Sequence, residues 1–401
     1  LWQGPRWTLA IMLAALGTLG PFSIDTYLPA FDGIAASLDA TPLQMQQTLS
    51  AYLFGFSFMQ LFHGALADSF GRRKVVLWGV VVFTITSVGC ALAHDIHLLI
   101  FWRAVQGMST GAGLVVSRAV IRDMFPPTEA QKMMSQVTLF FGVAPAVAPM
   151  MGGVLFATLG WHSIFWLLVL IGVALMLSIW RLLPETLAVE DRQPFNVRNL
   201  MRGYREVGAD PRFLLLSLAS GVPFNGFFLY VLAAPTFLGK HLGMAPTQFF
   251  WLFCTTIGGI MLGAFISGRL AGNLPPVRQV RRGFRVMVTV SLIGLAYALF
   301  ATPSLPWVFV PICLYALGWA LMQPSVTLMV LDLFPARRGM ASSLQGCIGS
   351  ASNGIVAGII APIAMTSLAG LAIASTLLLA VGLVAWLLFK RFDTVASTLE
   401  P

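Results

Sequence analysis

Apolar positions run through this chain in long blocks from one end to the other, broken by short polar connections. A membrane-spanning helix needs about 20 apolar residues at 1.5 Å rise each, and twelve blocks qualify or nearly qualify. They are 7–31, 46–66, 75–93, 98–120, 133–155, 161–183, 213–238, 247–270, 284–301, 306–331, 339–364 and 368–389. The pattern predicts an all-α polytopic membrane protein with twelve transmembrane helices. The longest polar connection divides six blocks from six, which predicts a six-helix bundle over 1–183, a linker over 184–212 and a second six-helix bundle over 213–401.

Composition agrees with a chain dissolved in lipid: 58% of residues are apolar, 10% are charged, and the mean hydropathy is +0.84. The formal charge of +9 would point to nucleic acid in a soluble protein, but the positions of the cations give it another meaning. If the N-terminus is cytoplasmic, Arg72, Arg73 and Lys74, then Arg118, Arg122 and Lys132, and the basic residues from Arg181 to Arg212 share one side. Arg269, Arg278, Arg281, Arg282, Arg285, Arg337 and Arg338 fall there too, with Arg6, Lys390 and Arg391 at the ends. Of the 24 Lys and Arg residues only Lys240 lies in an outer loop and only Arg103 deep within a span, Arg118, Arg181, Arg269 and Arg285 standing within two residues of the inner end of theirs. Such a bias sets orientation, so both termini are expected in the cytoplasm and no nucleic-acid surface is expected.

Asp25 stands in block 7–31, which is otherwise uncharged. A carboxylate in hydrocarbon costs several kcal/mol unless it faces a cavity or a partner, so such a residue marks a proton or substrate pathway. Arg103 is its natural counterpart, because an arginine within a span must find an anion, carbonyls or water. Asp25 is six residues from the outer end of its block and Arg103 five from the outer end of its own, placing both roughly 8 to 9 Å below the same surface. Snorkelling of Arg103 to the headgroups is the competing arrangement. Burial and Arg103 act on the Asp25 proton in opposite directions, so their separation decides where the acid titrates.

Other chemistry is sparse. Cys90, Cys254, Cys313 and Cys347 lie within blocks without CxxC spacing, so neither a disulfide framework nor a zinc site is expected. The histidines, His63, His94, His97, His162 and His241, are read as interfacial residues scattered over loop ends rather than as metal ligands. Neither HExxH, GxSxG nor a cluster of intramembrane acids is present, which argues against an enzyme. No signal peptide precedes the first block, and since the sequence opens at Leu1 without Met, a few N-terminal residues are expected to be missing. Asp332, close to Arg337 and Arg338, reads as a gate or topology salt bridge rather than a second proton site.

Three motifs carry a resemblance. After the second block the chain reads Gly64-Ala-Leu-Ala-Asp68-Ser-Phe-Gly71-Arg72-Arg73-Lys74, similar to the major facilitator loop signature GxLaDrxGrk with Ser69 in place of a basic residue. The fourth block holds Arg103-Ala-Val-Gln106-Gly107-Met-Ser-Thr-Gly111-Ala-Gly113, resembling the family's RxxqGxgaa motif. The fifth holds Ala144-Pro145-Ala-Val-Ala148-Pro149-Met-Met-Gly152-Gly153, similar to the antiporter signature gxxxGPxxGG with alanines at two glycine positions. Proline bends such a helix and small residues admit a neighbour. Ser23-Ile-Asp25-Thr-Tyr27-Leu-Pro29, Arg122-Asp123-Met-Phe-Pro126, Trp161-His162-Ser-Ile-Phe165-Trp166 and Leu333-Phe334-Pro335 further resemble the bicyclomycin-resistance (Bcr/CflA) group of drug efflux pumps.

The resemblance implies the major facilitator fold, two pseudo-symmetric six-helix halves with the substrate site near the membrane midplane, and a monomeric drug/proton antiporter of the bacterial inner membrane working by alternating access. Protons are then the coupling ion, no cofactor is required, and the partners are lipophilic small-molecule drugs and the lipid bilayer. It implies that Asp68, Arg72 and Asp123 form a charge relay at a cytoplasmic latch, with Asp68 also facing the N-terminal end of the eleventh helix near Met340. Substrate-wall candidates are Tyr27, Phe224, Phe228 and Trp319 as aromatic surfaces, and Asn225, Gln323 and Gln345 as polar anchors. Export of an amino acid or other small metabolite, uptake symport and a non-transporting sensor remain as alternatives, since a fold does not choose a substrate.

Overall fold

The computed structural model describes residues 5–270, 273–302 and 304–399; side chains are described there except at 6, 127, 128, 130–132, 134–136, 138–142 and 393–399. Apart from short 3-10 and π turns, the described elements are α-helices. In chain order they are α1 (Arg6–Asp25), α2 (Phe31–Ser37), α3 (Pro42–Phe70), α4 (Arg72–Ala91), α5 (Ile96–Met124), α6 (Pro127–Leu159) and α7 (His162–Leu182). After these come α8 (Val197–Gly208), α9 (Pro211–Leu232), α10 (Phe250–Leu270), α11 (Pro276–Phe300), α12 (Phe309–Leu333), α13 (Arg338–Ile355), α14 (Ala361–Ala364) and α15 (Leu368–Leu399).

Nine stretches among the described residues are long and apolar enough to cross a membrane, against twelve expected. The differences sit at blocks 46–66, 98–120 and 133–155. Those blocks fall in α3, α5 and α6, of 29, 29 and 33 residues, long enough to cross 30 Å of hydrocarbon at 1.5 Å per residue. α3 and α5 fall short on apolarity because they carry polar side chains, and many of these are turned inward: Gln46, Thr48, Ser50 and His63 on α3, Arg103, Gln106, Ser109 and Thr110 on α5 are all buried. The apolar part of α6 is 143–159. The outward faces are large and hydrophobic, with Trp78, Ile85, Leu170, Phe265 and Leu299 at least half exposed, as lipid-facing surfaces require.

The chain separates into two compact units, one of residues 1–196 with 245–250, the other of 197–244 with 251–401. In the first, α5 is the axial helix, packed on α1, α3 and α4. Its closest approach is to α3, where a Cβ on Gly107 would collide with the Tyr52 carbonyl and one on Gly55 with the Ala104 carbonyl. Small residues at such crossings let backbones meet without a gap. In the second unit α9 is central, packed on α12, α13 and α15. There α8 leans on α13, with Gly203 against Met340.

The first block does not form one continuous helix. α1 stops at Asp25, a 3-10 turn follows over Leu28–Ala30, and α2 resumes at Phe31. Pro29 lacks the N–H that an α-helical continuation would use; the chain turns on Tyr27 N–H to the Ile24 carbonyl (3.1 Å) and Ala30 N–H to the Tyr27 carbonyl (3.1 Å) instead.

Candidate functional site

Asp25 occupies the last helical position of α1 and is 5% exposed. Arg103, on α5, is fully buried, so it does not snorkel. No ion pair joins the two. Arg103 Nη1 donates to the Ser23 carbonyl (3.3 Å) and to Gln106 Oε1 (2.6 Å), while Nε and Nη2 have no protein partner. Its guanidinium lies between two aromatic rings, 4.8 Å from the Tyr27 centroid and 4.4 Å from that of Tyr52. Cation–π attraction of this kind offsets part of the desolvation cost, and is worth about 2 kcal/mol when buried. The carbonyls in the last turn of α1 carry the negative end of the helix dipole, which also favours a cation there.

A polar network fixes this cage. Gln106 Nε2 donates to Ser87 Oγ (2.8 Å), and Ser87 Oγ to the Phe83 carbonyl (2.7 Å) on α4. Ser23 Oγ donates to the Tyr52 hydroxyl (2.8 Å), which lies 3.1 Å from both Thr110 Oγ1 and the Gly20 carbonyl. Tyr27, expected on a substrate wall, is completely buried, with its hydroxyl 2.8 Å from Thr48 Oγ1. Its ring serves the cation and has no free face. Tyr52, Ser87 and Thr48 were not singled out from the sequence; polar residues in apolar helices were the signal, but their facing was not readable without the fold.

The antiporter-like motif meets the same place from the other side. A Cβ on Gly152 of α6 would run into the Thr26 carbonyl, the residue after the acid. Gly153 faces Pro246 and Thr247 (2.8 to 3.0 Å from its would-be Cβ) within the same unit. Pro149 is buried and Pro145 half-buried inside α6.

A second cluster forms where α3 passes into α4. Gly71 makes the turn with φ of +100°, a conformation that favours glycine. Arg72 is buried, pairs with Asp68, and reaches Asp123 Oδ2 at 3.2 Å. Thr186 Oγ1 donates to the same Asp123 oxygen (3.2 Å), and the Arg72 backbone N–H donates to Glu185 Oε1 (2.8 Å). The Gln193 N–H donates to the Asp68 carbonyl (3.2 Å), and Phe70 meets Phe195 ring to ring (6.3 Å). Arg73 donates to the Trp180 carbonyl. Gly64 has only ordinary contact with Val115, 3.9 Å from its would-be Cβ. The strap from Glu185 to Phe195 lies within the expected linker, and here it covers the loop.

In the second unit, Phe224 of α9 gathers Phe227, Phe228 and Trp319, with centroids 4.8 to 5.0 Å away. Trp319 Nε1 donates to the Ser220 carbonyl (2.9 Å) and Gln345 Nε2 to Ser220 Oγ (3.2 Å), so one residue receives α12 and α13. Asn225 Nδ2 donates to Ser352 Oγ (3.0 Å). The acceptors Asn225 Oδ1 and Gln323 Oε1 are buried without a partner. Gln323, one turn along α12 from Trp319, donates to Thr327 (3.4 Å). Asp332 faces Arg338 at 3.7 Å, both well exposed, and Arg337 pairs with Glu206.

One expectation needs correction: His63 is not at a loop end but 3% exposed within α3, with Nδ1 unpartnered. The helix continues to Phe70, seven residues past it. No group of His, Cys, Asp and Glu suited to a metal occurs among the described residues, and all four cysteines are free thiols.

Residues 9–358 match the family model described as Major Facilitator Superfamily. An uncharacterized MFS-type transporter of Bacillus subtilis is 35% identical over 86% of both chains. A bicyclomycin resistance protein homolog of Haemophilus influenzae is 28% identical over 92% of each, and multidrug resistance protein D of Escherichia coli 26% identical over 94% and 95%. A solved bacterial homolog of the human lysosomal transporter Spinster, in an inward-facing and occupied conformation, superposes with a TM-score of 0.73 at 17% identity. That superposition covers 96% of this chain and 97% of the other.

Proposed function

The chain belongs to the Major Facilitator Superfamily, a multi-pass transporter of the bacterial inner membrane and not an enzyme; from that premise we propose that it exports lipophilic drugs in exchange for protons by alternating access. The observation that carries this reading is Asp25: a carboxyl buried at the point where α1 ends, without an ion-pair partner, while Arg103 is buried beside it on the Ser23 carbonyl. A buried acid without a fixed counter-ion responds strongly to any charge or water that enters its surroundings. In the proposed cycle Asp25 takes a proton from the outer side as drug leaves and gives it up inside as drug binds. Arg103, held by two rings, supplies a constant positive field.

The membrane potential contributes about 2.3 kcal/mol per charge per 100 mV, which sustains roughly a fiftyfold gradient if one net charge enters per cycle. Drug relatives by name, together with the half-buried aromatic surface of Phe224, Phe228 and Trp319, support an apolar cargo. A second reading, export of an amino acid or other small metabolite by the same cycle, is favoured by the unpartnered acceptors Asn225 Oδ1 and Gln323 Oε1, which would suit a cargo rich in donors.

The test is proton release from purified, reconstituted protein on adding a panel of lipophilic and amphenicol-type drugs, with wild type against Asp25→Asn. Drug-triggered release that disappears in the variant is expected. Full proton-coupled export by Asp25→Asn would overturn the assignment.

A further inference from the structure

A groove of about 450 Å³ opens on the first unit, walled by α3, α4 and α5. Its lining is mostly apolar, with Met59, Leu66, Val82 and Met108 among the walls; its polar members are Lys74, His63 and Ser109, whose hydroxyl is spent on the Gln106 carbonyl (2.7 Å). Lys74 lies at one end, exposed and in the first turn of α4, next to Arg73. His63 lies part way along, nine-tenths buried or more, and its Nδ1 has no protein partner.

The groove has the dimensions of a lipid chain. From Phe70 to Met59 it follows eleven residues of α3, about 17 Å at 1.5 Å per residue, close to half of a 30 Å hydrocarbon core and so one leaflet deep. Depth is consistent across the walls: Phe70 and Lys74 share the basic end, Met59 and Val82 the far end. The N-terminus of α4 at this end is already met by Glu185, which accepts from the Arg72 N–H (2.8 Å), so the charge offered to a headgroup is that of Lys74. Of the carboxylates at the loop, Asp68 is paired with Arg72 and Glu185 is bound to the Arg72 N–H, and neither forms an ion pair with Lys74.

We propose that this groove is a binding site for an anionic phospholipid, its acyl chain along α3 and α4 and its phosphate on Lys74. A headgroup cation such as choline would gain nothing from Lys74, so the site discriminates by charge as well as by shape. This site is separate from the proton cage of Asp25 and Arg103 and does not depend on the drug-export reading.

The experiment is native mass spectrometry of the full chain released from detergent with equimolar palmitoyl-oleoyl phosphatidylglycerol and phosphatidylcholine. Wild type is expected to retain phosphatidylglycerol in preference, saturating at one molecule. Lys74→Gln is expected to cut that preference about fivefold, the equivalent of about 1 kcal/mol for one basic residue near anionic lipid. Val82→Trp, which fills the far end, is expected to lower retention of both lipids while the Lys74→Gln protein keeps the wild-type melting temperature. Equal retention of the two lipids by wild type, or an unchanged preference in Lys74→Gln, overturns the proposal. So does displacement of both lipids alike by a lipophilic drug, which would assign the groove to cargo.

Discussion

Arg103 reaches the backbone of Ser23, two residues ahead of Asp25, and forms no ion pair with the acid. The cation is therefore anchored to the helix that carries Asp25, whatever the state of the carboxyl. A fixed ion pair would have given Asp25 a settled charge; a cation bound to carbonyl and ring faces leaves the proton as the variable.

Replacing Arg103 should separate stability from transport. Burying a cation without a carboxylate is costly, and apolar replacements of such groups are often neutral or stabilising. Arg103→Met is expected to keep or raise the melting temperature while drug efflux falls at least tenfold. Arg103→Lys is expected to lose transport as well, since an ammonium cannot lie flat between two rings while donating in two directions. Thermal unfolding in detergent beside efflux from vesicles measures both.

Gly152 bears on the Thr26 carbonyl, so Gly152→Val must push α6 off the turn that follows Asp25. Overpacking of this kind costs about 1 to 3 kcal/mol. The expected result is a lower melting temperature together with loss of proton-coupled efflux, whereas valine at Gly64, with its nearest neighbour at 3.9 Å, should leave both near wild type.

The contacts of the loop between α3 and α4 predict an order of effects. Arg72→Ala removes the bridge between Asp68 and Asp123 and is expected to destabilise by about 1 to 3 kcal/mol, the half-exposed Asp68 contributing the smaller share. Glu185→Gln weakens an anion at the α4 N-terminus and should cost about 0.3 to 1 kcal/mol. Urea titration of the purified variants would rank them; equal losses would show that the strap matters as much as the loop.

Asp95 caps α5, accepting from the His97 and Leu98 N–H groups at 2.9 and 3.3 Å. The His97 N–H, foremost, holds its carboxyl below the usual range. A lowered value in the folded state means stabilisation that is complete above the unfolded value of about 3.9 and is lost as pH falls through the folded one. Asp95→Ala should therefore melt lower than wild type at pH 7, and the two curves should converge in acid. Asp95→Asn, which can still cap, should differ little at pH 7.

In the second unit, Trp319→Phe keeps an aromatic ring beside Phe224 but frees the Ser220 carbonyl. Drug affinity is expected to survive this change and to fall at least fivefold in Trp319→Ala, as read by quenching or equilibrium dialysis. Loss of binding in both would make the indole N–H, not the ring surface, the contributing group.

The sequence made Asp25 and Arg103 legible because charge in an apolar block is rare and expensive, and the loop signature made Arg72 legible through its Gly and Asp neighbours. It hid what depends on facing. Gln106, Ser87 and Tyr52 look like ordinary tolerated polarity in a membrane helix until α3, α4 and α5 are seen to turn them towards Arg103. That the Tyr27 ring lies against Arg103 is hidden for the same reason, as proximity in sequence to the acid does not say which way a ring points. His63 was placed at a helix end because apolarity fades after Leu66, while the backbone continues to Phe70. The strap of Glu185 to Phe195 reads as a linker since its hydrogen bonds run to backbone groups that no side-chain pattern advertises.

α1 ends on Asp25 rather than passing through it. An acid inside an unbroken helix can be re-aimed only by sliding or rolling twenty residues at once. At a joint, rotation about one or two backbone bonds of 26–30 suffices, and the rest of α1, most of it packed inside its unit, need not move. The break therefore sets a joint at the very residue to which the proposed cycle assigns the proton, so that in that cycle chemistry and motion share a single pivot.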